Sequence, residues 1–157
     1  MMAEEKCCVR LGAADWDKKE IEWKDKPFYK AKYRTIFHIP LNIGSVITKA
    51  MAELDSKGLA EDPPMMLSKE ESMFSSTMLF SLNKDTSDLN TEKLSGQYIS
   101  RLFEGSYREM GKWIRDTKLY CVENGEEVKE LLFWYATCPR CAKKYGGVQT
   151  VIFAKVS

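Results

Sequence analysis

Between Ile43 and Lys57 the apolar residues Ile43, Val46, Ile47, Ala50, Met51 and Leu54 recur at helical spacing. Asn42 is placed to cap the start and Gly58 to cap the end. A second stripe, Tyr107, Met110, Trp113 and Ile114, follows the turn Gly105-Ser106 and closes at Asn124-Gly125. Around these helices the pattern predicts strands. Lys32–Ile39 is β-rich and is stopped by Pro40; Met65–Ser68 and Phe74–Leu82 follow the turn Pro63-Pro64. After a polar linker, Asn83–Lys93, comes Gln97–Glu104, with Tyr98, Ser100, Leu102 and Glu104 on one face. Leu131–Thr137 is wholly apolar, which predicts that both its faces are covered, and Val148–Val156 closes the chain.

Each helix thus has one strand before it and two after it. The step Ile43-Gly44 matches Met110-Gly111, and TMLFSL at Thr77–Leu82 matches TVIFAK at Thr150–Lys155. The offsets, 67 and 73 residues, differ by an amount that the longer CPRCAKKYGG connection accounts for. The expectation is an α+β fold: a duplicated βαββ unit with an antiparallel sheet and two main helices forming a ligand cleft. It forms one domain over 1–157, with half-repeats at about 27–84 and 94–157 and a leading strap over 1–26. Trp16 and Trp23 stand seven apart in that charged, irregular strap. Either indoles pin it to the body, or it is a short helix with both rings on one face.

Composition narrows the function classes. A net charge of +1 on 157 residues gives no reason to expect nucleic acid or an acidic membrane surface as partner. No apolar run approaches the ~20 residues needed to span a bilayer, and the opening MMAEEKCC lacks an apolar signal core. Five cysteines, an odd number, favour reduced thiols in a cytoplasm. Cys138-Pro-Arg-Cys141 has redox or zinc spacing. However, Gly146-Gly147 leave no room for the helix a thioredoxin-type thiol needs, and only Cys7-Cys8 could complete a zinc set. The favoured reading is a hairpin turn, with no metal and no cofactor. His38 is the sole histidine and reads as a strand residue before it reads as a base.

Glu104 is the carboxylate to single out, since it ends an apolar strand just before a glycine. Desolvated there, it could act as general base for water or as partner to a cationic ligand; alternatively it only braces the turn. Among the aromatics, Phe37, Phe74, Phe103, Tyr107, Trp113, Phe133 and Trp134 are candidate pocket walls, though any one of them can be plain core. Trp113 on the second helix and Trp134 on the next strand could face each other across a cleft. Tyr107 and Tyr135 could offer phenol donors to a ligand carbonyl.

Three patches together carry a resemblance: Trp16-Asp17 with Trp23, FEGSY…GKW over Phe103–Trp113, and CPRCAKKYGG over Cys138–Gly147. With the internal duplication, they make the chain similar to the GyrI-like (SOUL-type) small-molecule-binding superfamily. Within it, the chain resembles a stand-alone branch of cyclopropanoid cyclopropyl hydrolases. The superfamily includes effector domains of multidrug-responsive regulators. The branch resemblance implies hydrolysis of the cyclopropane of flat DNA-alkylating compounds inside an aromatic cage, as xenobiotic resistance. Regulator relatives carry their pocket glutamate on the strand after the second helix, where this chain reads LFWYA without an acid. The resulting expectation assigns catalysis to Glu104 and Tyr135. The ligand is a flat aromatic or cationic small molecule, and the protein is a monomer or weak homodimer with no DNA-binding segment ahead of it. A non-catalytic drug-sequestering or effector-sensing module is the alternative, and a thioredoxin-like oxidoreductase a distant third.

Overall fold

The computed structural model describes residues 11–36, 39–40, 43–61, 65–70, 75–86, 89–136 and 146–157. Its elements are α1 (Ala13–Trp16), β1 (Lys19–Ile36), β2 (Ile39–Pro40), α2 (Ile43–Lys57), β3 (Met66–Glu70) and β4 (Ser75–Ser81). They continue with β5 (Thr91–Gly105), a 3-10 turn (Tyr107–Glu109), α3 (Met110–Glu123), β6 (Glu130–Tyr135) and β7 (Val148–Lys155). This is an α+β fold in which the paired strands run antiparallel.

The chain divides into two compact units, Lys24–Ser95 and the chain up to Trp23 together with Gly96–Ser157. Local structure marks the division points. Asp25 holds φ +51 in mid-strand, and Gly96 holds φ +134. A left-handed residue inside a strand is the mark of a bulge. The Asp25 N–H donates to Ser95 Oγ at 2.8 Å, and that hydroxyl donates to Asp25 Oδ1 at 3.2 Å.

In the unit Lys24–Ser95, β4 lies between β1 and β3, and β2 folds back on the end of β1. Helix α2 buries Ala50 and Leu54 against Tyr33, Met78 and Phe80, with Val46, Ile47 and Met51 packed at the margin. The predicted bounds of this helix and the glycine stop both hold. Gly58 takes φ +67, and the Leu59 N–H returns to the Leu54 carbonyl at 2.9 Å. In the other unit β7 lies between β6 and β5. Helix α3 buries Trp113, Thr117 and Cys121, one residue per turn. Burying a large apolar side chain stabilises by about 1.5–3 kcal/mol, so each stripe fixes its helix on its sheet.

Both units therefore run strand, helix, strand, strand, with the last strand central. The matched steps Ile43-Gly44 and Met110-Gly111 open α2 and α3. The second match does not superpose. Phe80 faces α2, whereas its counterpart Phe153 contacts Trp16 and Trp23, and the neighbours Ile152 and Ala154 face α3. The offset of 73 is one residue out of register, and a one-residue slip turns a strand's side chains to the opposite face.

Several boundaries differ from expectation: the strand expected over Lys32–Ile39 ends at Ile36, and Ile39–Pro40, where Pro40 was expected to stop it, pairs back on it as β2. β1 begins at Lys19, inside the stretch read as irregular, and β5 begins at Thr91, inside the predicted linker.

Candidate functional site

The pleat sorts the candidate residues. On the helix side of β5-β7-β6 stand Ile99, Arg101 and Phe103, then Val148, Thr150, Ile152 and Ala154, then Leu131, Phe133 and Tyr135. On the other side stand Tyr98, Ser100, Leu102 and Glu104, with Gln149, Val151 and Phe153, and Leu132 and Trp134.

The helix side holds a continuous aromatic patch. Phe103 stacks on Trp113, with centroids 5.5 Å apart and planes 12° apart, and Phe133 lies parallel to Tyr135 at 6.3 Å. Val148 and Ile152 form the floor, and Met110 and Ile114 pack against it from α3. Trp113 and Phe133 are buried, while Phe103, Met110, Ile114 and Tyr135 are half-buried, so the patch meets the surface along its margin. Phe103 and Tyr135 flank Thr150 in register. Thr150 is fully buried, and its Oγ1 has no hydrogen-bond partner among the described residues.

Arg101 closes one end of this side. Its guanidinium lies 5.1 Å from the Phe103 ring and 5.0 Å from the Tyr120 ring. Asp17 Oδ1 accepts from Arg101 Nε at 2.8 Å and from the Leu102 N–H at 3.1 Å. The Asp17 carboxylate is thus committed to holding the leading segment along β5.

The opposite side is occupied by that leading segment. Trp16, at the end of the single turn α1, meets Trp134 edge-on at 5.1 Å and Phe153 at 6.0 Å. Trp23, on β1, lies 4.7 Å from Tyr98 and 5.4 Å from Phe153. Both indoles pin the segment, one from a short helical turn and one from a strand. Ser100 Oγ donates to the Trp16 carbonyl at 2.7 Å. Gln149 grips Leu11 with its amide: the Leu11 N–H donates to Oε1 at 2.7 Å, and Nε2 donates to the Leu11 carbonyl at 2.9 Å.

These placements change several expectations. Trp113 and Trp134 do not face each other, because they lie on opposite sides of the sheet. Trp134 is walled by Trp16. Glu104 is exposed, and its Oε2 accepts from Gln149 Nε2 at 3.3 Å on the side away from α3. Trp113, Phe103, Phe133 and Tyr135 are brought together. Tyr107 is placed by its backbone in the 3-10 turn; its side chain, together with Phe37, His38, Phe74, Cys7, Cys8, Cys138 and Cys141, lies outside the described residues. Gln149 and Thr150 escaped notice in the sequence. The available cue was that both are polar residues in the middle of an apolar closing strand, where burial demands partners.

Among the described residues no three His, Cys, Asp or Glu side chains gather as a metal site. No helix among them is long and apolar enough to cross a membrane.

A family model described as "Bacterial hydrolase" matches residues 1–156. The chain belongs to that bacterial hydrolase family. No curated protein matches it. The fold is GyrI-like, as its solved neighbours show. A hydrolase from Listeria innocua is 12% identical, with a TM-score of 0.64, and the match covers 99% of this chain and 98% of that one. The C-terminal domain of EcmrR is 12% identical, with a TM-score of 0.62 over 88% of this chain and 94% of the domain. SAV2435 bound to tetraphenylphosphonium is 14% identical, with a TM-score of 0.51 over 88% of this chain and 93% of that one.

EcmrR brings a correction. In an EcmrR–DNA complex this chain matches 56% of the regulator's length. The expectation of no nucleic-acid connection is therefore overturned for this fold. That expectation rested on a net charge of +1, which describes the average of the chain's own surface. It carries no information about complexes that a GyrI-like domain joins as part of a regulator.

Proposed function

We propose that this member of the bacterial hydrolase family binds flat, apolar small molecules against the aromatic patch beneath α3 and hydrolyses a strained cyclopropane carried by such a compound. The observation that carries this reading is the gathering of Phe103, Trp113, Phe133 and Tyr135 on one side of the sheet, with a half-buried margin. Ring–ring contacts contribute roughly 0.5–1.5 kcal/mol each beyond area burial, which favours a flat aromatic over an aliphatic guest.

The chemistry fits a cyclopropane conjugated with a dienone. Water attacks a ring methylene and a new C–O bond forms. The strained C–C bond breaks, and its electron pair flows into the dienone, whose oxygen ends as a phenol after taking a proton. A phenolic donor at the carbonyl stabilises the charge that develops there. Tyr135 is the donor within the patch. Glu104, on the other side of the pleat, can help only round the end of β5, as base for the attacking water.

Turnover tests the reading. With a cyclopropane-bearing dienone alkylator in large excess, the protein should release water-added product well beyond one equivalent. Tyr135→Phe should lower kcat by on the order of 10²-fold; a kcat within two-fold of wild type would remove Tyr135 from the mechanism. Stoichiometric retention of the intact compound would instead favour the second reading, a non-catalytic sequestering protein. One observation supports that alternative: Glu104 is exposed, so water competes for it and little holds a nucleophile in place.

A further inference from the structure

Two buried side-chain oxygens, Ser76 Oγ and Thr150 Oγ1, have no hydrogen-bond partner among the described residues. The two occupy the same place in their respective units. Each lies on the central strand and faces the helix, directly opposite an aromatic residue of the first strand: Tyr33 for Ser76 and Phe103 for Thr150. Around Ser76 there is other polar company, since the Tyr33 hydroxyl meets Ser68 Oγ at 2.6 Å. Thr150 has no such bonded hydroxyl pair beside it among the described residues. Its strand neighbours on the same face are Val148 and Ile152, and its cross-strand neighbours are Phe103 and Tyr135.

A hydroxyl enclosed by apolar groups costs free energy unless it is bonded. Valine would fill the same space without that cost, so stability alone does not call for threonine here. We propose that Thr150 is the polar anchor of the aromatic patch: its hydroxyl donates to a carbonyl oxygen on a flat ligand seated between Phe103 and Tyr135. This deepens the small-molecule reading and rests on it. A guest reaches the hydroxyl by displacing the half-buried Phe103 and Tyr135 side chains, which flank it in the sheet. Tyr135 and Thr150 are cross-strand neighbours on one face, so their two hydroxyls can converge on a single carbonyl oxygen. Two donors on one oxygen select ligands with an acceptor at the ring edge over equally flat ones without it.

The test uses two probes on the full chain. One is a dienone alkylator with a ring carbonyl. The other is tetraphenylphosphonium, which is aromatic and cationic but has no hydrogen-bonding atom. Thr150→Val should weaken dienone binding roughly ten-fold while leaving tetraphenylphosphonium affinity within two-fold, and Thr150→Ser should restore dienone binding. The valine variant should melt at or above the wild-type temperature. Equal dienone affinity in wild type and Thr150→Val would overturn the anchor while leaving the patch intact as a site. A lower melting temperature for Thr150→Val would also overturn it, since the hydroxyl would then be serving the fold. If wild type binds neither probe, the site itself is wrong and the anchor falls with it.

Discussion

Replacing Gln149 with leucine tests whether one side chain fastens the leading segment. Gln149 is 2% exposed and holds both backbone polar groups of Leu11, at 2.7 and 2.9 Å. A neutral hydrogen bond nets about 1 kcal/mol, so the pair contributes about 2 kcal/mol. The contact with Glu104 Oε2 is charge-assisted, but it is 3.3 Å long and its carboxylate is exposed, so it adds less than about 1 kcal/mol. Leucine is close in volume, and its extra apolar burial returns about 0.5 kcal/mol. The net loss is about 2 kcal/mol, a large share of the ~5–15 kcal/mol typical of a domain. Urea unfolding should show a lower midpoint at unchanged slope, since little extra surface is exposed. Amide exchange supplies the local readout. The Leu11 amide should exchange at least ten-fold faster than the global loss alone explains, while Ile152 in β7 follows the global change. Unaltered protection at Leu11, or a midpoint equal to wild type, refutes the reasoning.

Two further predictions concern the same unit. Gly105→Ala should cost about 1–3 kcal/mol, because Gly105 holds φ +145 and an added Cβ would run into Glu109 Oε2 and lie 3.5 Å from Trp113 Cζ2; a melting temperature equal to wild type counts against this. Burial, reinforced by Glu126 and only partly opposed by Arg101, pushes the Cys121 thiol above its ordinary pKa. The unfolded thiol ionises first as pH rises, so the folded state binds more protons and loses stability from about pH 8.5 upward. Cys121→Ala should flatten that alkaline decline, and an equally steep decline in the variant would refute it.

Much of the fold is legible in the chain because its helices are striped. The Ile43–Leu54 stripe with Gly58, and the stripe Met110, Trp113 and Ile114 with Asn124-Gly125, specify both long helices and their ends. The missed part of β1 carried a signal too. In KEIEW, Ile21 and Trp23 alternate with charges and are half-buried, while Glu20 and Glu22 are exposed; the high charge masked a period of two. The bonds of Asp17 and Gln149 were not legible, since a polar residue's partner depends on which distant segment packs over it. Asp17 meets Arg101, and Gln149 meets Leu11, across more than eighty residues of chain.

The pleat decides more of the functional argument than any single residue. The match of TMLFSL with TVIFAK and the pairing of Trp113 with Trp134 are both plausible along the sequence, and both fail on side-chain parity. Parity also separates the two catalytic candidates. Tyr135 pairs with Thr150 and Glu104 with Gln149, one step apart on β7, so they project from opposite sides. A guest on the helix side can therefore meet Tyr135 at the half-buried margin, and Thr150 once the Phe103 and Tyr135 side chains move aside. It can reach Glu104 only where the strands end. There the backbones of Gly105 and Gly147 run side by side, and a Cβ on Gly147 would lie at ordinary contact distance, 3.5 Å, from the Gly105 carbonyl oxygen. Under the proposed mechanism a water activated by Glu104 would pass round that end to a ring held on the helix side. Glu104→Gln should then lower kcat while leaving dienone affinity unchanged, whereas a loss of affinity with kcat preserved would show that the carboxylate binds the ligand and does no chemistry on it.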